Sequence, residues 1–324
     1  MHKTDDSRPV LIIGAGLSGL ALGRLLTNND IANIVFEASP PERSQGFAIS
    51  MHERIAMHCG PGLPTAGTTS WMCVMDIDSR ASRVRSQVLP HIVPEVVPVV
   101  VYHGEFEVSR DEYDRYMRPV IGNANILAGV GDGFNTLITV CNITKTRVHL
   151  DWSYSRPACG ENDRLFNDKK LEDQTREPPQ ALLDELSSRQ LAEPWARYIN
   201  PETIRQHSVF HWISRCVFMP TADALQAAQA GVVFIGDSWH AMPIFGGEGS
   251  NHTLVDSTEL AAAMVKEAAV DRAVAVYYQG AARRCPEAVR RSRSRFYVLH
   301  RPMAEWREIA EKRRVKAALK QQME

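Results

Sequence analysis

Residues 10–37 read VLIIGAGLSGLALGRLLTNNDIANIVFE, and this stretch decides the fold. The short apolar run 10–13 opens into a glycine-rich turn, after which apolar residues recur at helical spacing from Leu17 to Leu25. A second short apolar run, Ile34–Phe36, follows the helical pattern. A strand, a turn, a helix and another strand in this order predict the start of a doubly wound α/β sheet.

The turn contains the pattern GxGxxG, formed by Gly14, Gly16 and Gly19. The first glycine permits the tight turn, the second lets the backbone approach a pyrophosphate, and the third lets helix and strand pack closely. Glu37 stands 18 residues beyond Gly19, at the end of the second strand, where a carboxylate can accept hydrogen bonds from an adenosine ribose. These features predict a dinucleotide site, but they do not separate FAD from NAD.

A second glycine-rich segment, residues 232–264, reads VVFIGDSWHAMPIFGGEGSNHTLVDSTELAAAM. A buried strand, a Gly-Asp pair, a glycine-rich loop and a helix follow one another in it. The segment resembles the flavin-dependent monooxygenases of the aromatic-hydroxylase type, the relatives of salicylate and p-hydroxybenzoate hydroxylases. The positions that match the series of this family are Gly236, Asp237, His240, Pro243, Gly247, Gly249, Asn251 and Asp256. The resemblance implies that the cofactor is FAD.

The resemblance also implies roles for the matching residues. Asp237 is expected to accept hydrogen bonds from the ribityl chain, while Gly247 and Gly249 let the backbone lie against the flavin ring. The helix that begins near Asn251 presents its N–H groups to the ring and stabilises the negative charge of reduced flavin. Pro243 is expected to shape a dry wall beside the reactive part of the ring.

Two further side chains each have two interpretations. His240 is either a catalytic base or a structural histidine of the loop. Arg43, which follows Glu37 shortly, either touches the ribose or pyrophosphate of FAD or is a surface arginine.

Between its two glycine motifs the family carries an Asp-Gly pair followed by a Ser-x-Val-Arg-like segment. The counterpart here is IDSRASRVRSQ, which places Asp78, Ser82 and Arg85 at matching positions and Ser79 where the family has glycine. Only 64 residues separate Gly14 from Asp78, far fewer than the family has, and the aperiodic segment 55–70 lies at the join. We therefore expect an internal deletion.

The pattern between the two glycine motifs predicts the domain organisation. Strand-like runs from Val96 to Trp152, with a short helix around Asp111–Met117, predict a mostly antiparallel sheet. The predicted fold is α/β: a doubly wound, Rossmann-like FAD-binding domain is formed by residues 1–90 and 220–324, with a substrate domain of residues 91–219 inserted into it. Further helices are predicted over Ala181–Tyr198, over Leu254–Ala269 and along the arginine-rich C-terminal part.

The composition is that of an ordinary globular protein, with 44% hydrophobic and 23% charged residues. The net charge of −1 does not indicate a nucleic-acid partner. Six dispersed cysteines without a CxxC pair are typical of a reducing compartment. The sequence shows neither a secretory signal nor an apolar run long enough to span a membrane, so a soluble, cytoplasmic protein is expected.

Two smaller features have competing interpretations. His207 and His211 would suit a metal pair on a helix, but their apolar neighbours predict a strand, and no metal is expected. The arginines between 283 and 295 are predicted to form the solvated face of a helix. Binding of an anionic cofactor such as NADPH, or of RNA, is the alternative.

The leading hypothesis is an FAD-dependent monooxygenase that uses NAD(P)H and O2 to hydroxylate or epoxidise an aromatic or polyketide-like small molecule in secondary metabolism. One alternative is a non-catalytic relic that has lost flavin through the missing segment. The other is an FAD enzyme that catalyses a dehydrogenation or cyclisation without inserting oxygen.

Overall fold

The computed structural model describes residues 9–37, 72–74, 83–160, 162–166, 173–175 and 177–323; for 72–74, 83, 173–175 and 316–323 it describes the backbone alone. The described residues form two compact units. The first comprises those up to Val97 together with Ser214–Ser294, and the second comprises Pro98–Ile213 together with the described residues from Arg295 onwards. The sequence had suggested boundaries at 90/91 and 219/220, with the C-terminal residues in the FAD-binding domain, whereas the structure groups these last residues with the second unit.

The strands, in chain order, are β1 (Val10–Ile13), β2 (Asn33–Phe36), β3 (Met72–Val74), β4 (Glu95–Val96), β5 (Val99–Ser109), β6 (Ile126–Val130), β7 (Asn135–Ile143), β8 (Arg147–Pro157), β9 (Asp173–Thr175), β10 (Val209–His211), β11 (Arg215–Cys216) and β12 (Val232–Phe234).

The helices are α1 (Leu17–Asn28), α2 (Arg83–Val88), α3 (Arg110–Glu112), α4 (Arg118–Ile121), α5 (Gln180–Ser188), α6 (Trp195–Tyr198), α7 (Pro201–Ile204), α8 (Thr221–Gln229), α9 (Asp237–His240), α10 (Gly249–Lys266), α11 (Val270–Leu299) and α12 (Met303–Met323). A π-helical turn, Tyr113–Met117, joins α3 to α4, and a 3-10 turn, Ile244–Gly246, precedes α10.

The first unit is built on a four-stranded parallel sheet with the order β12-β3-β1-β2. Helix α1 lies close to this sheet because Gly23 faces it: a Cβ atom at Gly23 would lie 3.0 Å from the Val35 side chain of β2. Leu22 and Leu26, one helical turn apart, are fully buried in the same core. The strand–turn–helix–strand unit predicted from residues 10–37 is therefore confirmed.

The edge strand β12 is secured by a tyrosine of α11. The Tyr278 hydroxyl accepts a hydrogen bond from the Phe234 N–H at 2.8 Å and donates one to the Phe234 carbonyl at 3.0 Å. Tyr278 and Phe234 are both buried. The hydroxyl therefore satisfies a backbone N–H and a backbone carbonyl that would cost free energy if they were buried without a hydrogen-bond partner. These two hydrogen bonds fix the strand that precedes the Gly-Asp pair.

The second unit is built on a six-stranded sheet with the order β6-β7-β8-β5-β10-β9, in which all neighbours pair antiparallel. The long strands β5 and β8 pair over eleven residues, from Val99 opposite Pro157 to Ser109 opposite Arg147. Because side chains alternate between the faces of a strand, even-numbered residues of both strands share one face, where Tyr102, Phe106 and others join a core with the short helices. The mostly antiparallel sheet predicted from the sequence is confirmed.

A buried ion cluster fastens a loop of the second unit to α5. The Arg156 guanidinium donates to Glu185 Oε1 at 2.6 Å and to Glu185 Oε2 at 2.9 Å, and it also donates to both oxygens of Asp163. These hydrogen bonds with Arg156 outweigh burial, which alone would raise the pKa of Glu185, and hold that pKa below its usual value. Paired charges of this kind tolerate burial that single charges do not.

Two predicted helices need correction. The predicted helix over Ala181–Tyr198 is wrong as a single element, because α5 ends at Ser188 and α6 begins only at Trp195. Pro194 lies directly before α6, where its missing N–H and fixed φ prevent a continuous helix. The helix predicted over Leu254–Ala269 exists, but it begins earlier, at Gly249, and ends at Lys266. Among the described helices, none is long and apolar enough to cross a membrane.

Candidate functional site

The glycine-rich turn lies where the sequence placed it, between the carboxyl end of β1 and the start of α1. Gly14 has a φ of 105°, which side chains rarely allow, and its N–H donates to the Phe36 carbonyl at 2.7 Å. Gly16 is the residue before α1, and Gly19 is buried within it. The positive end of the helix dipole therefore lies at the edge where parallel strands end, which suits a pyrophosphate.

Glu37 follows β2 and lies beside this turn. Its Oε2 atom accepts the N–H of Ala15, between the first two glycines, at 2.8 Å, and the residue is exposed. The carboxylate is thus held next to the phosphate-binding turn, which suits the predicted contact with the ribose. That contact stays a prediction.

The structure brings the second glycine motif against the first. A Cβ atom at Gly236 would lie 2.7 Å from the Ser18 hydroxyl of α1, and the backbone there has a φ of 57°. Both the space and the backbone conformation therefore require glycine. The Ser257 hydroxyl of α10 donates to the Ser18 carbonyl at 3.0 Å, which ties α10 to α1. Motifs more than 200 residues apart in sequence form one cluster in the first unit.

Asp237, the first residue of α9, follows Gly236 directly and is partly exposed. Burial of its carboxyl raises the pKa to about 6, and the Asp256 carboxylate adds to this, while His240 and Arg85 oppose it. The Arg85 side chain is itself buried and donates to the Ser238 carbonyl at 2.9 Å. A carboxyl held at the end of a strand beside the glycine turn can accept hydrogen bonds from hydroxyl groups of a ligand.

His240 and Asp256 form a fully buried pair. Asp256 Oδ2 lies 2.5 Å from His240 Nε2 and accepts the Gly236 N–H at 2.8 Å, so one oxygen serves the turn and the imidazole together. Burial alone would lower the pKa of His240, but the Asp256 carboxylate outweighs it and raises that pKa well above its usual value. The buried thiol of Cys285 completes the cluster: its sulfur lies within 4.8 Å of a ring nitrogen of His240 and of a carboxylate oxygen of Asp256.

Arg284 on α11 balances the charge of this cluster. Its guanidinium donates to Asp256 Oδ1 at 2.9 Å and to Glu259 Oε2 at 2.6 Å. Burial would raise the pKa of Asp256, but His240 and Arg284 together hold it below its usual value. The prediction of a solvated arginine face is therefore wrong for Arg284, whose side chain is 21% exposed.

The loop from Pro243 to Asn251 changes direction at a glycine, as predicted. Gly247 adopts the left-handed conformation, with a φ of 65°, and Gly249 is the first residue of α10. The Ser292 hydroxyl of α11 donates to the Pro243 carbonyl and accepts the N–H of Gly246, which fixes the loop. Pro243 and Asn251 are buried. The catalytic roles predicted for His240 and Pro243, and the cofactor contacts of the loop, stay predictions.

Several expected site features lie outside the described residues. These are Arg43, the segment with Asp78, Ser79 and Ser82, and the aperiodic segment 55–70. The possible metal pair does not form a helical pair, because His211 belongs to strand β10 and His207 precedes it, in agreement with the predicted strand.

Sequence reasoning missed the residues that support the site from a distance. Arg284 and Ser292 lie in a helix whose arginine content suggested a surface, and no local pattern links them to the glycine loops. Asp256 was matched by the family pattern, but its role as the acceptor for Gly236 and His240 comes from the structure.

No protein-family model matches the chain. The chain is 62% identical to the FAD-dependent monooxygenase vrtH of Penicillium aethiopicum, in an alignment that covers 99% of this chain and 100% of that protein. It is 44% identical to the FAD-dependent monooxygenase nscC of Arthroderma otae, with 94% of this chain and 98% of that protein covered. The chain belongs to the FAD-dependent monooxygenases. Family membership confirms the predicted oxidoreductase and its cofactor, FAD.

The alignment with vrtH also bears on the expected internal deletion. It spans 411 positions, whereas the chain has 324 residues, so at least 87 aligned positions have no residue in this monooxygenase. Because these gaps lie inside the aligned region, the chain is internally shorter than this relative.

Solved structures share the fold of this monooxygenase. The 2,6-dihydroxypyridine-3-hydroxylase of Arthrobacter nicotinovorans matches 92% of this chain and 94% of its own with a TM-score of 0.71, at 13% identity. A salicylate hydroxylase in complex with its substrate matches 92% of this chain and 90% of its own with a TM-score of 0.58, at 14% identity. The predicted Rossmann-like aromatic-hydroxylase fold is confirmed.

Proposed function

We propose that this FAD-dependent monooxygenase uses NAD(P)H and O2 to hydroxylate or epoxidise an aromatic or polyketide-like small molecule of secondary metabolism. The observation that carries the proposal is the 62% identity to a named FAD-dependent monooxygenase over nearly the whole chain. The resemblance of residues 232–264 to aromatic hydroxylases supports the substrate class. A cytoplasmic location stays a prediction from the sequence.

The described residues of the first unit fit FAD. Gly14 and Gly16 would hold the pyrophosphate at the start of α1, and Glu37 would hold the adenosine ribose. Asp237 would accept hydrogen bonds from the ribityl chain. When bound and reduced by a nicotinamide, FAD supplies the activation of O2 from which one oxygen atom passes to the substrate.

The residues of the loop would hold the flavin ring. The backbone at Gly247 and Gly249 would lie against it, and the first turn of α10, which contains Asn251, would stabilise negative charge on the reduced ring. Pro243, which is buried, would help exclude water.

His240 is proposed to act through Asp256 rather than on the substrate, because its side chain is 0% exposed. The imidazolium holds the Asp256 carboxylate in its charged form, and that carboxylate holds the Gly236 turn. Residues that contact substrate are proposed to lie on the antiparallel sheet of the second unit, around Val99–Tyr102 and Ile138–Trp152.

The first test is the visible absorption of the purified chain before and after addition of FAD and desalting. We expect a retained flavin spectrum in the wild type and its loss in Gly14→Ala, because alanine is strained at a φ of 105°. Gly160→Ala is the matched control, since Gly160 has a φ of 86° with open space around it and lies in the second unit. A colourless wild type would contradict the proposal. It would favour the alternative of a non-catalytic relic, which the gap of at least 87 aligned positions also supports.

Turnover is then measured as NAD(P)H and O2 consumption with phenols and polycyclic phenols as acceptors. We expect consumption of both, with a product that has gained one oxygen atom. A product without added oxygen, formed equally well without O2, would instead establish the dehydrogenase or cyclase alternative.

A further inference from the structure

The antiparallel sheet of the second unit carries a mixed cluster of metal-binding side chains on the face opposite its core. Glu105 of β5 and His149 and Asp151 of β8 are odd-numbered, whereas the buried even-numbered neighbours Phe106 and Leu150 face the core. One ligand atom from each of the three side chains lies within 4.8 Å of the other two. None of the residues assigned to the FAD site belongs to this cluster.

The strand register places like charges opposite each other there. Glu105 pairs directly with Asp151 across β5 and β8, and Glu107, the next residue on the same face, pairs with His149. Carboxylates directly opposite on paired strands repel each other and destabilise a sheet. Three carboxyl groups and one imidazole therefore occupy neighbouring positions on this face of the sheet.

The spacing of the ligand atoms suits a small divalent cation. His149 Nε2 lies 3.4 Å from Glu105 Oε2 and 3.9 Å from Asp151 Oδ1. Both distances exceed the roughly 2.7–2.9 Å of a charge-assisted hydrogen bond. Two ligands bound tetrahedrally at about 2.0–2.1 Å from Zn²⁺ lie about 3.4 Å apart, so the observed separations need little adjustment.

The site is open to solvent on one side and rigid on the other. The side chains of Glu105 and His149 are 37% and 36% exposed, whereas that of Asp151 is 11% exposed. All three stand on β5 and β8, which pair with each other over eleven residues, so the backbone beneath them is fixed. Cys141, at a bulge of the neighbouring strand β7 between Val140 and Asn142, is hydrogen-bonded to Asp151. Bulges of this kind turn a side chain away from the regular alternation.

We propose that Glu105, His149 and Asp151 form a binding site for one divalent transition-metal ion, with Zn²⁺ as the ion of best fit. One imidazole and two carboxylates are ligands that Zn²⁺ accepts, and water would complete a tetrahedral set on the exposed side. Three protein ligands with an exposed fourth position distinguish this site from a closed structural zinc site.

The test is a titration of the full chain with ZnCl2, followed by isothermal calorimetry, in the wild type and in Glu105→Gln and His149→Gln. Because the chain has 11 histidines and six cysteines, the decisive quantity is the loss of one bound equivalent rather than binding itself. We expect each variant to lose one equivalent, or to bind it at least about tenfold more weakly.

Glu107→Gln is the matched control, since it removes one carboxylate from the same face of the same strand without removing a ligand. We expect it to keep the wild-type stoichiometry and to weaken binding by less than either ligand variant. Unchanged zinc binding in both ligand variants would overturn the proposal, and so would an equal loss in Glu107→Gln, which would show attraction by net charge alone. The FAD content does not enter this readout, so failure of the proposed function leaves it interpretable.

Discussion

Replacing Asp256 by asparagine removes the charge at the centre of the Gly-Asp turn. In the wild type this fully buried carboxylate accepts the Gly236 N–H at 2.8 Å, and it lies between two cations. His240 Nε2 is 2.5 Å from one oxygen, and the Arg284 guanidinium is 2.9 Å from the other. The amide would keep the size of the side chain, but it would remove the anion that the two cations share.

The cost of the substitution depends on how the two cations respond to it. Removing one partner of a buried ion pair typically costs about 3–5 kcal/mol, because the remaining charge stays buried. In Asp256→Asn the imidazole of His240 escapes part of this cost by losing its proton, since burial alone lowers its pKa. Arg284 keeps its second partner, Glu259. We therefore expect a loss of about 3 kcal/mol in the free energy of unfolding, at the lower end of that range.

The assay is urea unfolding followed by tryptophan fluorescence, with Glu259→Gln as the control. Glu259 lies on the same helix and binds the same Arg284 guanidinium, but its side chain is 41% exposed, so its loss should cost about 1 kcal/mol or less. We also expect Asp256→Asn to bind FAD more weakly, because the Gly236 N–H loses its charged acceptor. The reasoning is refuted if the two variants unfold at the same urea concentration.

Three further outcomes are expected. The folded pKa of Asp237, about 6, exceeds its usual 3.8, so its carboxyl destabilises the FAD-free protein as pH rises through this window. Asp237→Asn should therefore stabilise that protein at pH 7 by at most about 3 kcal/mol, a gain that shrinks at pH 4, while it weakens FAD binding; equal urea midpoints at pH 7 would contradict this. Gly236→Ala, at a φ of 57°, should cost about 1–3 kcal/mol by the same urea assay and lower FAD retention; full stability and full retention would count against it. Arg156→Gln should destabilise the second unit by about 3 kcal/mol, seen as a lower thermal midpoint, because the Asp163 carboxylate loses its cation while Glu185 keeps Arg189; an unchanged midpoint would show that the cluster contributes little.

Sequence patterns alone predict those parts of the site that are determined by a few neighbouring residues. The turn at Gly14 and the turn at Gly236 both have positive φ, a conformation that glycine permits, and each follows a short apolar strand. Glu37 was identifiable because the spacing from Gly19 fixes which end of the next strand it occupies. Patterns of this kind reflect backbone requirements over a few residues, so they can be recognised without knowledge of tertiary packing.

The rest of the site depends on contacts that no local pattern encodes. Arg284 reaches Asp256 across 28 residues, and Ser292 reaches the Pro243 carbonyl across 49. Both lie on the polar-looking helix α11, where an arginine that binds a buried carboxylate has the same sequence signature as one that binds water. The break between α5 and α6 is a different case, because its signal is local. Pro194 is a helix-breaking residue in the sequence itself, but the helical pattern on either side of it favours a single helix.

The described contacts show how the two glycine turns of the FAD site are held together. The Gly14 turn is held by β2 and Glu37, and the Gly236 turn is held by Asp256 and packs against Ser18 of α1. Every one of these residues lies within 13–37 or 232–294, and the charge balance at Asp256 is completed there by Arg284. Among the described residues, contacts within these two stretches therefore support Gly14, Glu37 and the Gly236 turn that precedes Asp237. Loss of FAD from a chain that still folds would therefore point to a part of the site other than these described contacts.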